Sequence, residues 1–298
     1  MKKLFRKFIN KYGYDIVKTA EWSEINKHKK IVVPVGSYSI LMPANNPQVF
    51  NYVSIPNLNE ELAYLAQIVA NKYSDAVLID VGANVGDTVA VVKSKINIPI
   101  IAIEGDATSY SFLQENVKQF EKVTTINNFL GEQMQTVPVD VEKKGWNNTI
   151  IPNNAASTTI QLNTLDNILA DHNLSTANCK LLKIDTEGFD TIILRGCYKL
   201  LSTHKPVLYI EYNAANMQAI GEDGFTTLLN LTQFGYHHIF IFDGLSNLLF
   251  YTHLNDKSNL AQLNNYLHKK NAIIPFFDIC IMHANDEDIC HVLLNLQK

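Results

Sequence analysis

A short apolar run that ends in a glycine turn constrains the fold of this chain more than any other feature. Residues 76–88 read AVLIDVGANVGDT, in which Asp80 precedes a turn that contains Gly82 and Gly86. Apolar runs of this length are typical of buried strands. A buried strand that leads through a tight turn into a helix brings backbone N–H groups and a helix N-terminus close to a ligand. The pattern therefore predicts an α/β fold with a ligand site at this turn.

The spacing of the two glycines distinguishes between two classes of cofactor. The nicotinamide fingerprint G-x-G-x-x-G would need glycine at Asn84. The pattern present is D-x-G-x-x-x-G, which favours S-adenosylmethionine over a dinucleotide and methyl transfer over hydride transfer. A nicotinamide-dependent oxidoreductase is therefore disfavoured.

The rest of the chain alternates between strand and helix patterns. Strands are predicted at 76–81, 99–104, 123–127, 180–185, 206–212, 238–243 and 276–283, with a candidate hairpin partner at 248–252. Helices are predicted at 87–95, 107–119, 164–171, 187–200, 223–234 and 258–270. Repeated strand–helix units predict a doubly wound, mostly parallel sheet of seven strands with helices on both faces.

Three regions are expected: a basic amphipathic segment (1–30), a small N-terminal cap region (31–75) and a cofactor-binding domain (76–298). Four prolines break residues 31–56 into what we expect to be short strands, and residues 59–72 have a helical pattern. Residues 131–157 are interpreted as a polar stretch, followed by a weak strand near 158–162.

Charge is distributed unevenly along the chain. The first thirty residues contain nine Lys or Arg and three acids, a net charge of +6, and the remainder carries −10. Because contacts with phosphate need a basic surface, the acidic body argues against nucleic acid as a partner. Residues 1–12 have the periodicity of an amphipathic helix. This predicts either contact with an anionic membrane surface or packing on the domain with a solvated basic face.

The four cysteines are scattered without a C-x-x-C pair, which is typical of reduced thiols in a cytoplasmic protein. No apolar stretch reaches the length of a membrane span. We therefore expect a cytoplasmic protein, and peripheral contact with the inner membrane face through residues 1–12 is left open.

Polar residues at the carboxyl ends of the first strands are candidates for holding the cofactor. Glu104 ends the second strand, where a carboxylate can accept hydrogen bonds from both hydroxyls of a ribose. Asp80 can fix the glycine turn or hold the amino-acid end of the cofactor, and Thr88 can cap the following helix. Asn128 can contact an adenine edge, although formation of a turn explains this residue equally well. The candidate cofactor-binding residues are Asp80, Gly82, Asn84, Gly86, Thr88, Glu104 and Asn128.

A second group of charged residues follows the strand at 180–185, in the run LLKIDTEG (181–188). Lys183 and Asp185 lie two residues apart on a strand and therefore share a face. We expect Asp185 to act as the base or to hold the substrate, with Glu211 as a second anchor. Lys183 would orient Asp185 or stabilise a developing alkoxide. A purely structural cluster of ion pairs is the alternative.

Two further residues belong to the candidate substrate site. Glu187 opens the next helix, and Asn213 follows Glu211 on the same side of its strand. Asp185, Glu211 and Asn213 also present oxygen atoms that could bind Mg²⁺. This spacing is weak evidence for a metal, and hydrogen bonds to a sugar hydroxyl explain the same residues equally well.

Six segments together resemble the FkbM family of S-adenosylmethionine-dependent methyltransferases. They are IDVGANVGDT (79–88), AIEGDATSYSFLQENV (102–117), INNFLGE (126–132), NTLDNIL (163–169), LLKIDTEGFDTIILRG (181–196) and KPVLYIEYN (205–213). The K-I-D-x-E-G segment is the most specific of them. The family usually has proline after the acid of the second strand, and here Gly105 takes that place.

The resemblance implies a class I methyltransferase (Rossmann-like) fold and O-methylation, often of a sugar hydroxyl in a polysaccharide, glycolipid or natural product. It implies cofactor contacts for Asp80, Gly82, Asn84, Gly86 and Glu104. It also places Asp185, Glu187 and Glu211 at the acidic edge of the substrate pocket. The expected partner is therefore a sugar or glycoconjugate, and the segments outside the resemblance would select it.

Two other functions remain open on the sequence. One is methylation of a nitrogen atom in a protein or small molecule, for which the fold often uses an N/D-P-P-Y/F run after the fourth strand. The chain has DTEG there, which favours oxygen. The other is a scaffold that binds S-adenosylmethionine without catalysis. Such a scaffold would tolerate loss of the glycine turn and of Glu104, and the presence of both argues against it.

Overall fold

The computed structural model describes residues 28–55, 57–144, 147–174 and 178–296, with backbone alone for residues 141–144 and 147–149. The strands are β1 (Lys30–Val35), β2 (Tyr38–Pro43), β3 (Val77–Val81), β4 (Ile100–Glu104), β5 (Val123–Asn127), β6 (Phe129–Leu130), β7 (Gln135–Lys144), β8 (Asn147–Pro152), β9 (Thr159–Asn163), β10 (Cys179–Ile184), β11 (Val207–Tyr212), β12 (Tyr236–Phe242), β13 (Leu248–His253) and β14 (Phe277–His283). The helices are α1 (Gln48–Ser54), α2 (Glu60–Lys72), α3 (Asp87–Lys95), α4 (Ala107–Asn116), α5 (Leu165–Asp171), α6 (Asp190–Arg195), α7 (Tyr198–Thr203), α8 (Ala214–Ala219), α9 (Gly224–Asn230), α10 (Lys257–Leu267) and α11 (Glu287–Leu296).

The central sheet has eight strands in the order β13-β12-β14-β11-β10-β3-β4-β5. Neighbours from β11 to β5 are parallel, and β14 pairs antiparallel with both β11 and β12. All seven predicted strands are present, and the candidate hairpin partner becomes β13 at one edge. The predicted doubly wound α/β fold is thus confirmed. Since β3, β4, β5, β10 and β11 run the same way, their carboxyl ends meet at one edge of the sheet.

Apolar side chains on both faces of the sheet are covered by helices. On one face, Leu78 and Leu181 belong to a buried cluster with side chains of β1, β2, α2, α3 and α11. On the other face, Ile79 and Leu182 are buried with side chains of α5 to α10. Successive residues of a strand point to opposite faces, so strands buried on both sides need continuous apolar runs. This explains why β3 and β10 read as almost unbroken apolar segments.

The N-terminal cap region packs directly on the element that follows the glycine turn. The β1–β2 hairpin lies against α3 and α4, and α1 packs on β1. Asn116, a buried residue of α4, accepts a hydrogen bond from the Leu41 N–H (2.9 Å) and donates to the carbonyls of Leu41 (2.9 Å) and Val85 (2.8 Å). One amide side chain therefore links the cap hairpin to the glycine turn.

Residues 48–54 were expected to be extended, and they form helix α1 instead. Pro47 occupies the N-cap with φ −60° and ψ −27°, so the proline that suggested a break in fact starts a helix. Proline is tolerated at a helix start because the first N–H groups have no partner within the helix.

The interpretation of residues 131–157 as a polar stretch is wrong. They contain the antiparallel strands β7 and β8, which join β6 and β9 in a second, four-stranded sheet. The alternation of Val137, Val139 and Val141 with polar residues in β7 is the period-2 signal of a strand with one solvated face. Because residues 131–157 are polar on average, this alternation was not recognised as the pattern of a strand.

The predicted helix at 187–200 is divided into α6 and α7, and it begins later than expected. The backbone at Glu187 (φ 55°) and Gly188 (φ 109°) lies outside the helical region, so α6 starts only at Asp190. At the break between the helices, a Cβ added to Gly196 would lie 2.3 Å from the carbonyl oxygen of Gly131. Glycine therefore permits the close contact with the start of the second sheet.

Within the described residues, no helix has both the length and the apolar character needed to cross a membrane. The predicted amphipathic helix at residues 1–12 lies outside the described residues.

We expect Asn116→Ala to lower the free energy of unfolding by about 1–3 kcal/mol, because it leaves the buried carbonyl of Val85 and the partly buried N–H and carbonyl of Leu41 without this partner. Urea unfolding followed by circular dichroism measures the change. Gln114→Ala, an exposed substitution in the same helix, is the control and should change stability by about 0.5 kcal/mol or less. Equal stability of both variants would contradict the linking role of Asn116.

Candidate active site

The glycine turn between β3 and α3 has a backbone that few side chains would permit. Gly82 has φ 76°, Asn84 has φ 47° and Gly86, the N-cap of α3, has φ 86°. A Cβ added to Gly82 would lie 1.8 Å from the carbonyl oxygen of Asp185. Only glycine therefore allows the turn after β3 to lie against the loop after β10.

Glu104 is fixed at the end of β4 by backbone donors on both sides. Its Oε2 accepts a hydrogen bond from the Asn84 N–H (2.8 Å) and its Oε1 accepts one from the Asp106 N–H (2.8 Å). Glu104 does not cap the following helix, because Asp106 is the N-cap of α4 and its carboxylate accepts the N–H groups of Thr108 and Ser109. Each oxygen of Glu104 keeps acceptor capacity for a further donor, which suits a pair of ribose hydroxyls.

Burial raises the pKa of Glu104 to about 7, although the N–H donors of Asp106 and Asn84 oppose this shift. The carboxyl group therefore changes its charge within the physiological range of pH.

The next strand end provides a flat apolar surface beside Glu104. The Asn128 N–H donates to the Glu104 carbonyl (3.1 Å), and the Phe129 ring follows directly. A Cβ added to Gly105 would lie 2.2 Å from Cδ1 of Phe129. The departure from the family's proline thus has a local cause, since the Phe129 ring occupies the space that a larger residue 105 would need.

These residues border a cleft of about 230 Å³. The polar lining comes from the glycine turn, from the ends of β4, β5 and β10 and from the start of α1, and includes Gln48, Asn84, Glu104, Asp106, Asn128, Asp185 and Glu187. The apolar lining comes from the second sheet and α6, and includes Phe129, Ile150, Ile160, Leu162, Phe189 and Ile193. Among the described residues, no Lys, Arg or His lines the cleft.

Beneath the glycine turn lies a buried ion pair between neighbouring strands. Lys183 Nζ of β10 lies 3.0 Å from Asp80 Oδ1 of β3 and 3.6 Å from Asp185 Oδ2, and donates to the Gly82 carbonyl (3.3 Å). The contact with Asp80 is an ion pair rather than a directed hydrogen bond, because neither Asp80 oxygen has a well-oriented donor among the described residues. Asp80 and Lys183 therefore hold two strand ends together under the cleft.

Burial shifts the pKa values of the two partners of this ion pair in opposite directions. Burial raises the pKa of Asp80, and Lys183 only partly offsets that effect. Burial alone would lower the pKa of Lys183, but the neighbouring carboxylates of Asp80, Asp185 and Asp87 outweigh it and raise that pKa above its usual range. Lys183 thus stays protonated.

The loop after β10 brings two acids to the cleft. Asp185 is half exposed, with 49% of its side chain accessible, and lies beside the glycine turn. Glu187 also lines the cleft, and its Oε2 accepts a hydrogen bond from Asn216 Nδ2 (2.7 Å). The loop is held from below by the buried Asp190, whose carboxylate accepts the N–H groups of Thr186 (3.0 Å) and Gly188 (3.1 Å).

Glu211 and Asn213 lie outside the lining of the cleft. Glu211 is directly opposite Asp278 in the antiparallel pair of β11 and β14, and its Oε2 is buried without a hydrogen-bond partner among the described residues. Burial, followed by the charge of Asp185, raises the pKa of Glu211 well above its usual value. Asn213 is the N-cap of α8, where its Oδ1 accepts the Asn216 N–H (3.2 Å).

The structure thus divides the candidate residues into two sets. Those that line the cleft are Gly82, Asn84, Glu104, Asn128, Asp185 and Glu187. Those that lie beneath or beside it are Asp80, Gly86, Thr88, Lys183, Glu211 and Asn213. Thr88 is buried within α3, and Gly86 shapes the turn without bordering the cleft.

Several residues of the site were not found from the sequence. Gln48 comes from α1, which was not recognised as a helix, and Ile150 and Ile160 come from the second sheet. Tyr52, also in α1, donates a hydrogen bond to Oδ2 of Asp87 (3.0 Å). The pKa of Asp87 is raised to about 6, mainly by burial.

No group of three or more His, Cys, Asp or Glu side chains in the described part of the chain is placed to hold a metal ion. Asn213, one of the three residues considered for Mg²⁺, uses its side-chain oxygen to cap α8.

The sequence matches one protein-family model, described as the methyltransferase FkbM domain, over residues 80–238. The match begins at Asp80, covers more than half of the chain and includes the glycine turn, Glu104 and the K-I-D-x-E-G segment. A search of curated proteins finds no match.

Solved structures similar to this chain include three methyltransferases. The methyltransferase FkbM from Methylobacillus flagellatus KT is 22% identical with a TM-score of 0.38, and the match covers 55% of this chain and 39% of that one. A TehB-like SAM-dependent methyltransferase from Corynebacterium glutamicum is 9% identical with a TM-score of 0.41, and the match covers 79% of this chain and 93% of that one. The plantazolicin methyltransferase BamL, solved with S-adenosylhomocysteine (SAH), is 8% identical with a TM-score of 0.41, and the match covers 76% of this chain and 85% of that one. The match with the Methylobacillus methyltransferase thus spans well under half of that protein's length.

The affinity for S-adenosylmethionine should depend on the ionisation of Glu104. Ribose hydroxyls donate to the carboxylate, so binding needs the ionised form. Since the pKa of Glu104 is about 7, the affinity should be constant above that pH and fall up to about tenfold for each unit below it. Calorimetric titration between about pH 5.5 and 8.5 measures this dependence.

Glu104→Gln is the matched control, because it keeps the shape of the side chain and removes the charge. We expect weaker binding with little pH dependence. If the unmodified protein binds S-adenosylmethionine with the same affinity across this pH range, Glu104 does not hold the ribose.

Proposed function

The chain belongs to the FkbM methyltransferase family and is an S-adenosylmethionine-dependent methyltransferase, and from this premise we propose that it methylates oxygen, at a hydroxyl of a sugar. The acceptor sugar would be part of a polysaccharide, a glycolipid or a natural product. The single observation that carries the choice of oxygen is the half-exposed Asp185, which lines the cleft beside the glycine turn.

The loop after β10 supports oxygen over nitrogen as the acceptor atom. A hydroxyl must lose its proton as it is methylated, so the reaction gains from a carboxylate at the acceptor position. Asp185 and Glu187 provide carboxylates there, where a nitrogen methyltransferase of this fold often has an N/D-P-P-Y/F run. The loop Asp185–Thr186–Glu187–Gly188 contains no proline or aromatic residue.

S-adenosylmethionine supplies a methyl group that is already activated by a positively charged sulfur. The protein therefore has to orient the acceptor and receive its proton, and no covalent link to the enzyme is required. Productive alignment needs the reacting atoms about 3–3.5 Å apart. The fixed turn at Gly82 and the Asp190-supported loop provide rigid walls for this alignment.

In this mechanism Asp185 accepts the proton of the hydroxyl. Lys183 Nζ, 3.6 Å from Asp185 Oδ2 and closer to Asp80, orients the carboxylate from below. Lys183 stays charged, so it also stabilises negative charge that develops on the acceptor oxygen. Glu187 can accept hydrogen bonds from other hydroxyls of the sugar. Glu211 lies outside the lining of the cleft and would influence the acceptor only through Asp185.

The location of the acceptor is also part of the proposal. We propose that the enzyme works in the cytoplasm and that residues 1–12 bring it to the inner membrane face. Co-sedimentation with anionic liposomes, compared with a variant lacking residues 1–12, tests this part separately from the chemistry.

The reaction is tested by transfer of a labelled methyl group to a panel of glycans and to amine-bearing controls. Mass spectrometry and NMR then identify the methylated atom. Methylation of the hydroxyl-bearing acceptors supports the proposal. Exclusive methylation of nitrogen would refute it, and so would cofactor binding without transfer to any acceptor.

Asp185→Asn should lower turnover by about 10²–10⁴-fold, because the amide cannot accept the proton. The affinity for S-adenosylmethionine should change little. Single-turnover kinetics with saturating cofactor, together with calorimetry, separates the two effects. Asp171→Asn, an exposed acid at the end of α5, is the control and should behave like the unmodified protein. Near-normal turnover of Asp185→Asn would rule out Asp185 as the base.

A further inference from the structure

Gln48 is a cleft residue that lies outside the segment matched by the family model. It is the first residue of α1 and lines the cleft together with Gly82 and Asn84. One turn further along α1, the Tyr52 hydroxyl donates to Oδ2 of Asp87, the first residue of α3. Residues four apart lie on the same face of a helix, so Gln48 lies on the face of α1 that is turned toward the start of α3.

The side-chain amide of Gln48 has one end fixed and one end open. Its Oε1 accepts a hydrogen bond from Asn51 Nδ2 (3.1 Å), and its backbone N–H donates to Asn46 Oδ1 (2.9 Å). Within the described residues, no acceptor receives a hydrogen bond from its Nε2. Gln48 therefore presents a donor to the cleft.

The charges around the cleft indicate what such a donor would bind. The lining includes the acids Glu104, Asp106, Asp185 and Glu187, and no Lys, Arg or His among the described residues. S-adenosylmethionine carries a carboxylate as well as two positive groups, and this carboxylate must avoid the acids. Gln48 lines the same cleft, and its amide can donate a hydrogen bond to that carboxylate without adding a further negative charge.

We propose that Gln48 binds the cofactor, with its Nε2 donating a hydrogen bond to the carboxylate of the methionine part. The inference rests on the cofactor use stated above and not on the identity of the acceptor. It makes the cap region a part of the cofactor site. Asn51 acts as a positioning residue, since it fixes the amide with its donor toward the cleft.

The test compares two ligands that differ in the carboxylate alone: S-adenosylmethionine and its decarboxylated analogue. Calorimetry measures both with the unmodified protein and with Gln48→Ala. For S-adenosylmethionine we expect Gln48→Ala to weaken binding by about tenfold or more, the range for a hydrogen bond to a charged group. For the decarboxylated analogue, the affinity should be unchanged.

Three further variants sharpen the comparison. Gln48→Glu places a carboxylate opposite the ligand's carboxylate, so it should weaken S-adenosylmethionine more than Gln48→Ala does and leave the analogue unaffected or better bound. Asn51→Ala should produce a smaller loss with the same ligand selectivity. Val53→Ala, at an exposed position of the same helix, should change neither affinity. Binding of the analogue also shows that each variant is folded.

An equal loss of affinity for both ligands would overturn the proposal, because it would indicate a general effect on the cleft. An unchanged affinity for S-adenosylmethionine, with a raised KM for the acceptor, would overturn it in favour of a role in acceptor binding. Failure of the unmodified protein to bind either ligand would instead refute the cofactor assignment itself.

Discussion

The buried ion pair of Lys183 and Asp80 supports the geometry of the whole site. It joins β10 to β3 at the edge where the glycine turn and the loop after β10 meet, and Lys183 also binds the carbonyl of Gly82. Removing one partner of a buried pair leaves an unpaired charge and typically costs about 3–5 kcal/mol. The pair therefore constrains both the turn above β3 and the direction of Asp185.

Contacts around this pair connect regions that are distant in the sequence. Asn116 links the cap hairpin to the glycine turn, and Tyr52 links α1 to the start of α3. From the other side, the second sheet closes the cleft with Ile150 and Ile160. The family-matched segment thus contains the glycine turn, Glu104 and Asp185, while the cap region adds contacts from outside it.

The sequence predicted the parts of the molecule in which local chemistry and periodicity agree. The seven strands, the turn at Gly82 and Gly86, and the position of Glu104 follow from apolar runs and residue spacing. Prediction from the sequence failed where local signals were weak or ambiguous. Pro47 suggested an interruption and begins α1, and the polar surface of β7 concealed a strand. The lining of the cleft by Gln48 and Ile150 was consequently missed.

The sequence alone determined the class of fold, the family and the carboxylates available for chemistry, because buried strands and tight turns restrict the residues that can form them. The tertiary structure decided how these carboxylates differ. Asp185 is exposed in the cleft, Asp80 is paired with Lys183, and Glu211 is buried behind the site. Ionisation and reactivity depend on burial and on neighbouring charges, which are set by strands and helices that come together only when the chain folds.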